Sequence, residues 1–316
     1  MRTSALSRFA FTVAAATAFL PGCGGSQPPI GAPGAMPQSH AIPHRADRAG
    51  WSMTSIDLLY VTTAYDPFTT NFYTYPGLQY VGSVPGGLGL CADDSGNVFV
   101  VNRGEWNEYA HGGTTPISTY VHSSYWFEHC SIDPNSGNLA VTMKDAGVAV
   151  FQHGSGLPTT YSGPFGPQVF CGYDSSGNLF VLGDSYPGGQ GPQFYELPKG
   201  GTSLVAVKLP TKVKGIGQVQ WDGRYLTIAS MSGPTVYRLV IKNNTAKVVG
   251  TSQFGGVASK AQQSWIHDGL IVFPFNVRGT APNVGAWNYP QGGAPIATLR
   301  GPATKNNQAV TISLGT

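Results

Sequence analysis

Charge is what this sequence has least of. Asp, Glu, Lys and Arg make up 10% of its 316 residues, against about 25% in an average soluble domain. The formal charge of +3 at pH 7 is too small for the basic stripe that nucleic-acid binders carry, so no nucleic-acid partner is expected. Lys and Glu are too scarce for a coiled coil. The apolar run Phe9–Leu20 is twelve residues long, too short to remain as a spanning helix. Motifs with built-in chemistry are missing too: there is no Gly-x-Ser-x-Gly elbow, no phosphate-cradling loop and no His-Glu-x-x-His. What is abundant is glycine (43) and proline (24), together with 15 Phe, 15 Tyr and 6 Trp in a chain that is 41% hydrophobic. Gly and Pro together are about a fifth of the chain, below the level that marks low-complexity disorder. The composition describes a foldable chain with many turns.

The first 22 residues read as an export signal. Arg2 and Arg8 supply the positive start and Phe9–Leu20 the apolar stretch. Leu20-Pro21-Gly22-Cys23 resembles a bacterial lipobox, with Pro21 in place of the usual small residue. The resemblance implies lipidation of Cys23 and a membrane anchored through the lipid. Gly24 after the cysteine implies the outer membrane, facing periplasm or exterior, so the expected address is the bacterial cell envelope. Residues 23–55 form a Pro/Gly-rich tether, too poor in apolar residues to offset ordering entropy. His40 and His44 lie in it and read as solvated linker residues. Once the signal is cleaved the formal charge falls to +1, which leaves no electrostatic argument for an anionic partner.

Residues 56–316 repeat. Asp93-Asp94-Ser95-Gly96-Asn97-Val98-Phe99-Val100 returns as Asp133-Pro134-Asn135-Ser136-Gly137-Asn138-Leu139-Ala140-Val141 and as Asp174-Ser175-Ser176-Gly177-Asn178-Leu179-Phe180-Val181. Shorter versions surround Gly223 and Gly269, and the glycines are spaced by 41, 40, 46 and 46 residues. Gly after Asp or Ser supplies the positive φ of a tight hairpin, and an apolar strand follows. Six aromatic-rich strands, among them Phe72–Tyr75, Asn107–Ala110 and Phe194–Leu197, come one after each such strand. Periods of 40–50 residues with several short strands indicate propeller blades. The expected fold is all-β: a six-bladed β-propeller with four-stranded blades. The first blade lacks its own leading hairpin, so its innermost strand should be Ala309–Ser313. Pairing it with Leu58–Val61 would close the ring in one blade. A monomer is expected.

The Asp-x-x-Gly-Asn-Leu-Phe-Val hairpins and Tyr-x-x-Gly-Gly-like third strands resemble NHL-type and gluconolactonase-like six-bladed propellers. With the lipobox and tether, the whole is similar to bacterial propeller lipoproteins of unassigned function. That resemblance specifies a fold and is nearly silent on activity.

In a propeller the loops between second and third strands, and those leading into each first strand, share one face. The Asp-Gly hairpins lie on the other. Asp93, Asp94, Asp133, Asp174, Asp222 and Asp268 are therefore expected to hydrogen-bond turn backbone. Asp66, Glu105, Glu128, Asp145 and Asp184 fall on the loop face. Glu128-His129 enters the first strand of blade 3 and is the pair best placed for chemistry. Arg103, Trp106, Trp126, Lys144, Asp184, Tyr186, Asn276 and Arg278 come from neighbouring loops. With Glu128 and His129 they make a candidate ligand site, a ligand lying between Trp106 and Trp126. The alternative is that Glu128 pairs with Arg103 or Lys144 and the aromatics cap the blade core.

The primary expectation is a non-catalytic propeller that binds an envelope protein, a glycan or a small ligand and needs no cofactor. The alternative is a lyase or lactonase using Glu128 and His129 with Ca or Mg. Against it, gluconolactonase-like propellers hold their ion on Glu, Asn and Asp, and no matching set is found. The channel strands offer Gln168, Gln218, Gln263, Asn307 and Ser264, and neutral amides are weak ligands for a hard dication. Resemblance to streptogramin lyases rests on Glu128-His129 alone. Cys91, Cys130 and Cys171 lie in the innermost strands of blades 2, 3 and 4. Buried free thiols are the default expectation, since Cys is among the most buried residue types. If a bridge forms, Cys130 and Cys171 share a register and are the expected pair, Cys91 being one residue off.

Overall fold

The computed structural model describes residues 56–63, 68–185, 191–231, 233–256, 263–275, 283–299 and 307–315. Every regular element in them is a β-strand, and the 24 strands form six four-stranded antiparallel sheets. Blade 1 is built, from the axis outward, of Asn307–Ser313, Leu58–Thr63, Thr69–Thr74 and Tyr80–Pro85. Blade 2 runs Gly89–Ala92, Val98–Asn102, Glu105–Tyr109 and Pro116–Val121; blade 3 runs Phe127–Ile132, Leu139–Met143, Gly147–Gln152 and Ser155–Ser162. Blade 4 is Phe165–Tyr173, Leu179–Ser185, Gln193–Leu197 and Val205–Ala206. Blade 5 is Val219–Trp221, Leu226–Ala229, Thr235–Lys242 and Thr245–Gln253, and blade 6 is Trp265–His267, Leu270–Phe275, Asn283–Asn288 and Ala297–Leu299. The ring closes in blade 1, where Leu58 lies opposite Ser313 and Val61 opposite Val310. The chain ends thus pair in one sheet, as the repeat pattern requires.

The hairpins form for the reason their residues suggest. Asp93 Oδ1 accepts from the Ser95 and Asn97 backbone amides at 3.0 and 2.7 Å, and Asp174 does the same for Ser176 and Asn178. Asp133 accepts from the Asn135 amide, and Asp222 from those of Arg224 and Tyr225. Gly177 follows at φ +85°, a conformation that side chains rarely adopt.

The core is divided. Six apolar clusters lie one between each pair of neighbouring blades. Second strands are buried on both faces, which explains their unbroken apolar character. Leu139 packs toward blade 2 and the next residue, Ala140, toward blade 4. Outer strands such as Pro116–Val121 and Ser155–Ser162 are mostly exposed.

That division decides the cysteines. The structure has a Cys91–Cys130 disulfide, with Cα atoms 5.7 Å apart, and leaves Cys171 as a buried free thiol. The default of buried free thiols is thereby corrected for Cys91 and Cys130 and holds for Cys171, and the Cys130–Cys171 pairing expected of a bridge is corrected too. Two cysteines in the same register point the same way around the ring: Cys130 packs toward blade 2 and Cys171 toward blade 3, with its Sγ near the Ala140 carbonyl. Cys91, offset by one residue, points from blade 2 toward blade 3 and so meets Cys130. Adjacent blades present opposite faces to each other, so the offset that seemed to exclude Cys91 is what brings it into contact. Close approach of the two inner strands also needs Gly89, where a Cβ would strike the Glu128 carbonyl and the His129 Cα.

The disulfide closes a loop of sequence separation 39, and loop-closure entropy assigns such a link about 3–4 kcal/mol. Replacing both partners, Cys91→Ser with Cys130→Ser, is expected to lower denaturant stability by about that amount. Cys171→Ala should leave non-reducing gel mobility unchanged. A bridge that survives in the double variant would show that another pairing exists.

Candidate functional site

Each inner strand has no hydrogen-bonding neighbour on its axial side. Side chains from other blades fill part of that need. The Gln220 amide pairs with both the amide and carbonyl of Ile266, the next inner strand. Ser131 Oγ accepts from the Tyr173 amide at 3.1 Å. Gln263 reaches past blade 1 to bond the amide and carbonyl of Leu90 in blade 2. Gln218 donates to the Cys171 carbonyl at 3.4 Å.

Glu128 and His129 belong to this system. The Val169 amide of blade 4 donates to Glu128 Oε2 at 3.3 Å. Burial pushes the Glu128 carboxyl up to about 7; the Val169 bond and the Lys144 ammonium oppose the rise, and Asp145 and Asp184 add to it. Burial also raises Asp184. The neighbouring residue has a different fate. His129 is 5% exposed, stacks on Phe170 with centroids 4.2 Å apart, and hydrogen-bonds the Gln263 side chain. Burial pushes it down to about 4 against the opposing effect of Gln263, so the imidazole is neutral at physiological pH. Its Nδ1 has no partner among the described residues. The register of this strand shifts between Phe127 and Cys130, so the two side chains do not simply alternate: Glu128 stays half-buried at the loop face and His129 is sealed against Phe170.

The exposed chemistry is at Trp126, in the loop entering blade 3. The ring is 39% exposed. Arg103, from the turn between second and third strands of blade 2, places Cζ 4.2 Å from its centroid. Lys144, from the equivalent turn of blade 3, places Nζ at 4.6 Å. Arg103 also lies 5.7 Å from the Phe68 ring. Among the described residues no ion pair within 4 Å involves Arg103, Lys144 or Glu128. The Glu128–Arg103 and Glu128–Lys144 pairs allowed by the sequence therefore do not form.

Trp106 is corrected. It is 1% exposed and packs between blades 2 and 3 against Phe99, Phe151 and Tyr120. The turn at Arg103–Gly104 is short, so the third strand begins at Glu105 and sets Trp106 opposite Val101, inside the wedge. Tyr186, Asn276, Arg278, Asp66 and Cys23 lie outside the described residues. The site thus gathers Arg103, Trp126, Glu128, Lys144 and Asp184, leaves out Trp106, and keeps His129 beneath. Phe68 was missed, although it lies just before the third strand of blade 1, as the turn carrying Arg103 lies just before the third strand of blade 2. Among the described residues no three His, Cys, Asp or Glu side chains come together as a metal-ligating group.

No family model matches the chain and no curated protein matches it. Solved structures do. A protein of unknown function from Bacteroides caccae superposes with TM-score 0.61 at 13% identity, covering 82% of this chain and 99% of that one. A chain of the nidogen/laminin complex gives 0.62 at 11%, with coverage of 82% and 99%. A functionally unknown protein from Desulfotomaculum acetoxidans DSM 771 gives 0.56 at 14%, with 83% and 89%. At such identities the likeness is one of fold, the six-bladed propeller.

Two predictions follow from the burial pattern. Trp106→Ala should cost about 3–5 kcal/mol, as for other large core truncations, whereas Trp126→Ala should change stability by no more than about 1 kcal/mol; paired denaturant melts compare them. Glu128→Gln keeps an acceptor for the Val169 amide and removes the ionisation. An unfolded Glu ionises near 4.5, so the folded wild type loses stability as pH rises from there to about 7, and the loss remains above. The variant should match wild type at pH 4.5 and exceed it at pH 8 by roughly 2–3 kcal/mol. Equal stabilities at pH 8 would show that the carboxyl is not buried as described. His129 acts in the opposite direction, through unfolded-state protonation below about 6.5, and cancels in this comparison.

Proposed function

We propose that this chain is a non-catalytic binding propeller, tethered to the bacterial cell envelope through lipidated Cys23 and residues 23–55, that takes its ligand on the loop face above blades 2 to 4. The observation that carries the reading is Trp126: an exposed ring with two cations over it, neither matched by a carboxylate among the described residues. Exposed aromatic and arginine side chains are what binding surfaces concentrate. The Cys91–Cys130 bridge is compatible with an exported protein, since such bonds persist in oxidising compartments. The NHL-like hairpins and lipobox support a place among propeller lipoproteins, acting as a monomer and without a cofactor. One fold neighbour was solved within a protein–protein complex, which suits an envelope protein as partner; a glycan or small ligand suits the same face.

One observation favours the enzyme reading. A carboxyl held near 7 is poised for general acid–base work. Its proposed partner is not, because His129 is buried, neutral and committed to Phe170 and Gln263. Melting of the full chain with EDTA, then with Ca²⁺ or Mg²⁺ in excess, separates the two readings. Coincident curves within about 1 °C are expected. A native-state dication site at a hundredfold excess over Kd would add about 2.7 kcal/mol, and a rise of that size would replace the binding reading by the metal-dependent lyase or lactonase.

A further inference from the structure

We propose that the loop face binds a carboxylate-bearing saccharide, with Arg103 and Lys144 taking the carboxylate and Trp126 the apolar face of the sugar ring. The inference rests on reading that face as a binding surface and adds the class of ligand.

An indole attracts a cation through its quadrupole and does not neutralise it. Stacking on the indole therefore leaves the N–H donors of Arg103 and Lys144 unspent. Arg103 is exposed and Lys144 half-buried. Among the described residues the nearby acids do not satisfy them. Glu128 is occupied by the Val169 amide. Asp145 and Asp184 act on Glu128 through space, and neither lies within 4 Å of either cation. Among the described residues the face thus offers cationic donors without a carboxylate partner, gathered on an aromatic ring that is still 39% exposed. A simple anion would use the donors and ignore the rings of Trp126 and Phe68. A neutral sugar would use the rings and leave the donors unmatched. A uronic acid carries both complements in one unit: a C–H face on the pyranose and a carboxylate at the ring edge, able to accept from a guanidinium in bidentate fashion.

The acids around the site give the binding a pH dependence of definite sign. Glu128, facing Lys144, Asp145 and Asp184, loses its charge as pH falls through about 7. His129, held down at about 4 by burial, stays neutral across this range. Anion affinity should therefore rise between pH 8 and pH 6.

The test is calorimetric titration of the full chain with trigalacturonic acid, its methyl ester and acetate, each variant first checked by its melt. The acid should bind and tighten from pH 8 to 6. Arg103→Ala, Lys144→Ala and Trp126→Ala should each weaken it about tenfold. Glu128→Gln should bind as wild type does at pH 6 and show no change up to pH 8. The ester should bind about tenfold less tightly than the acid, and acetate weaker still. An ester that binds as tightly as the acid, and is lost in Trp126→Ala, would overturn the carboxylate inference and uphold the loop-face reading. Acid binding untouched by Trp126→Ala and Arg103→Ala would overturn both. Failure of the acid and the ester alike would overturn the saccharide inference alone.

Discussion

Six sheets arranged around an axis leave six inner edges, each with backbone donors and acceptors turned away from any strand. Unpaired buried amides cost more than most contacts contribute, so these edges constrain everything near the axis. The chain answers with side chains sent across: Gln220 to Ile266, Gln263 to Leu90, Ser131 to Tyr173 and Glu128 to Val169. The glutamines do this best, because an amide side chain offers a donor and an acceptor in the geometry of a peptide group. That is why the channel strands are rich in neutral amides and poor in carboxylates.

The same constraint shapes the candidate site. Glu128 is held by a backbone amide of the next blade, and the position that makes it a useful strut also removes it from water and raises its pKa. His129, one residue on, is turned into the interior and joins Phe170 and Gln263. What is left to face solvent comes from the loops alone: Arg103, Trp126 and Lys144, brought together because two successive blades each contribute a turn and the crossover between them contributes the ring. The Cys91–Cys130 bridge ties those two blades just beneath. Rigid blades below and variable loops above is the division of labour by which propellers carry unrelated functions.

Much of this was legible in the order of residues. The Asp-x-x-Gly hairpins name their own turns, since the carboxylate that caps the turn and the glycine that permits it are local. The missing strand of blade 1 could be assigned to Ala309–Ser313 because a closed ring needs it. The loop positions of Arg103, Trp126 and Lys144, and the place of Glu128 at the entry of an inner strand, followed from strand counting. Trp106 did not, because the length of one turn decides whether the third strand starts before or after it, and two residues of difference separate a loop ring from a core ring.

The sequence by itself determined the class of fold, the number of blades and the place of closure, because those depend on period, on turn chemistry and on alternation within a few neighbouring residues. Only the tertiary structure decided which cysteines meet, which aromatic is free and which member of the Glu128-His129 pair is fully sealed. Each of those depends on how one blade faces the next. Neighbouring blades present opposite faces to each other, so equal register keeps Cys130 and Cys171 apart while a one-residue offset joins Cys91 to Cys130. No repeat within the chain records that relation, since it arises only when the ring is closed.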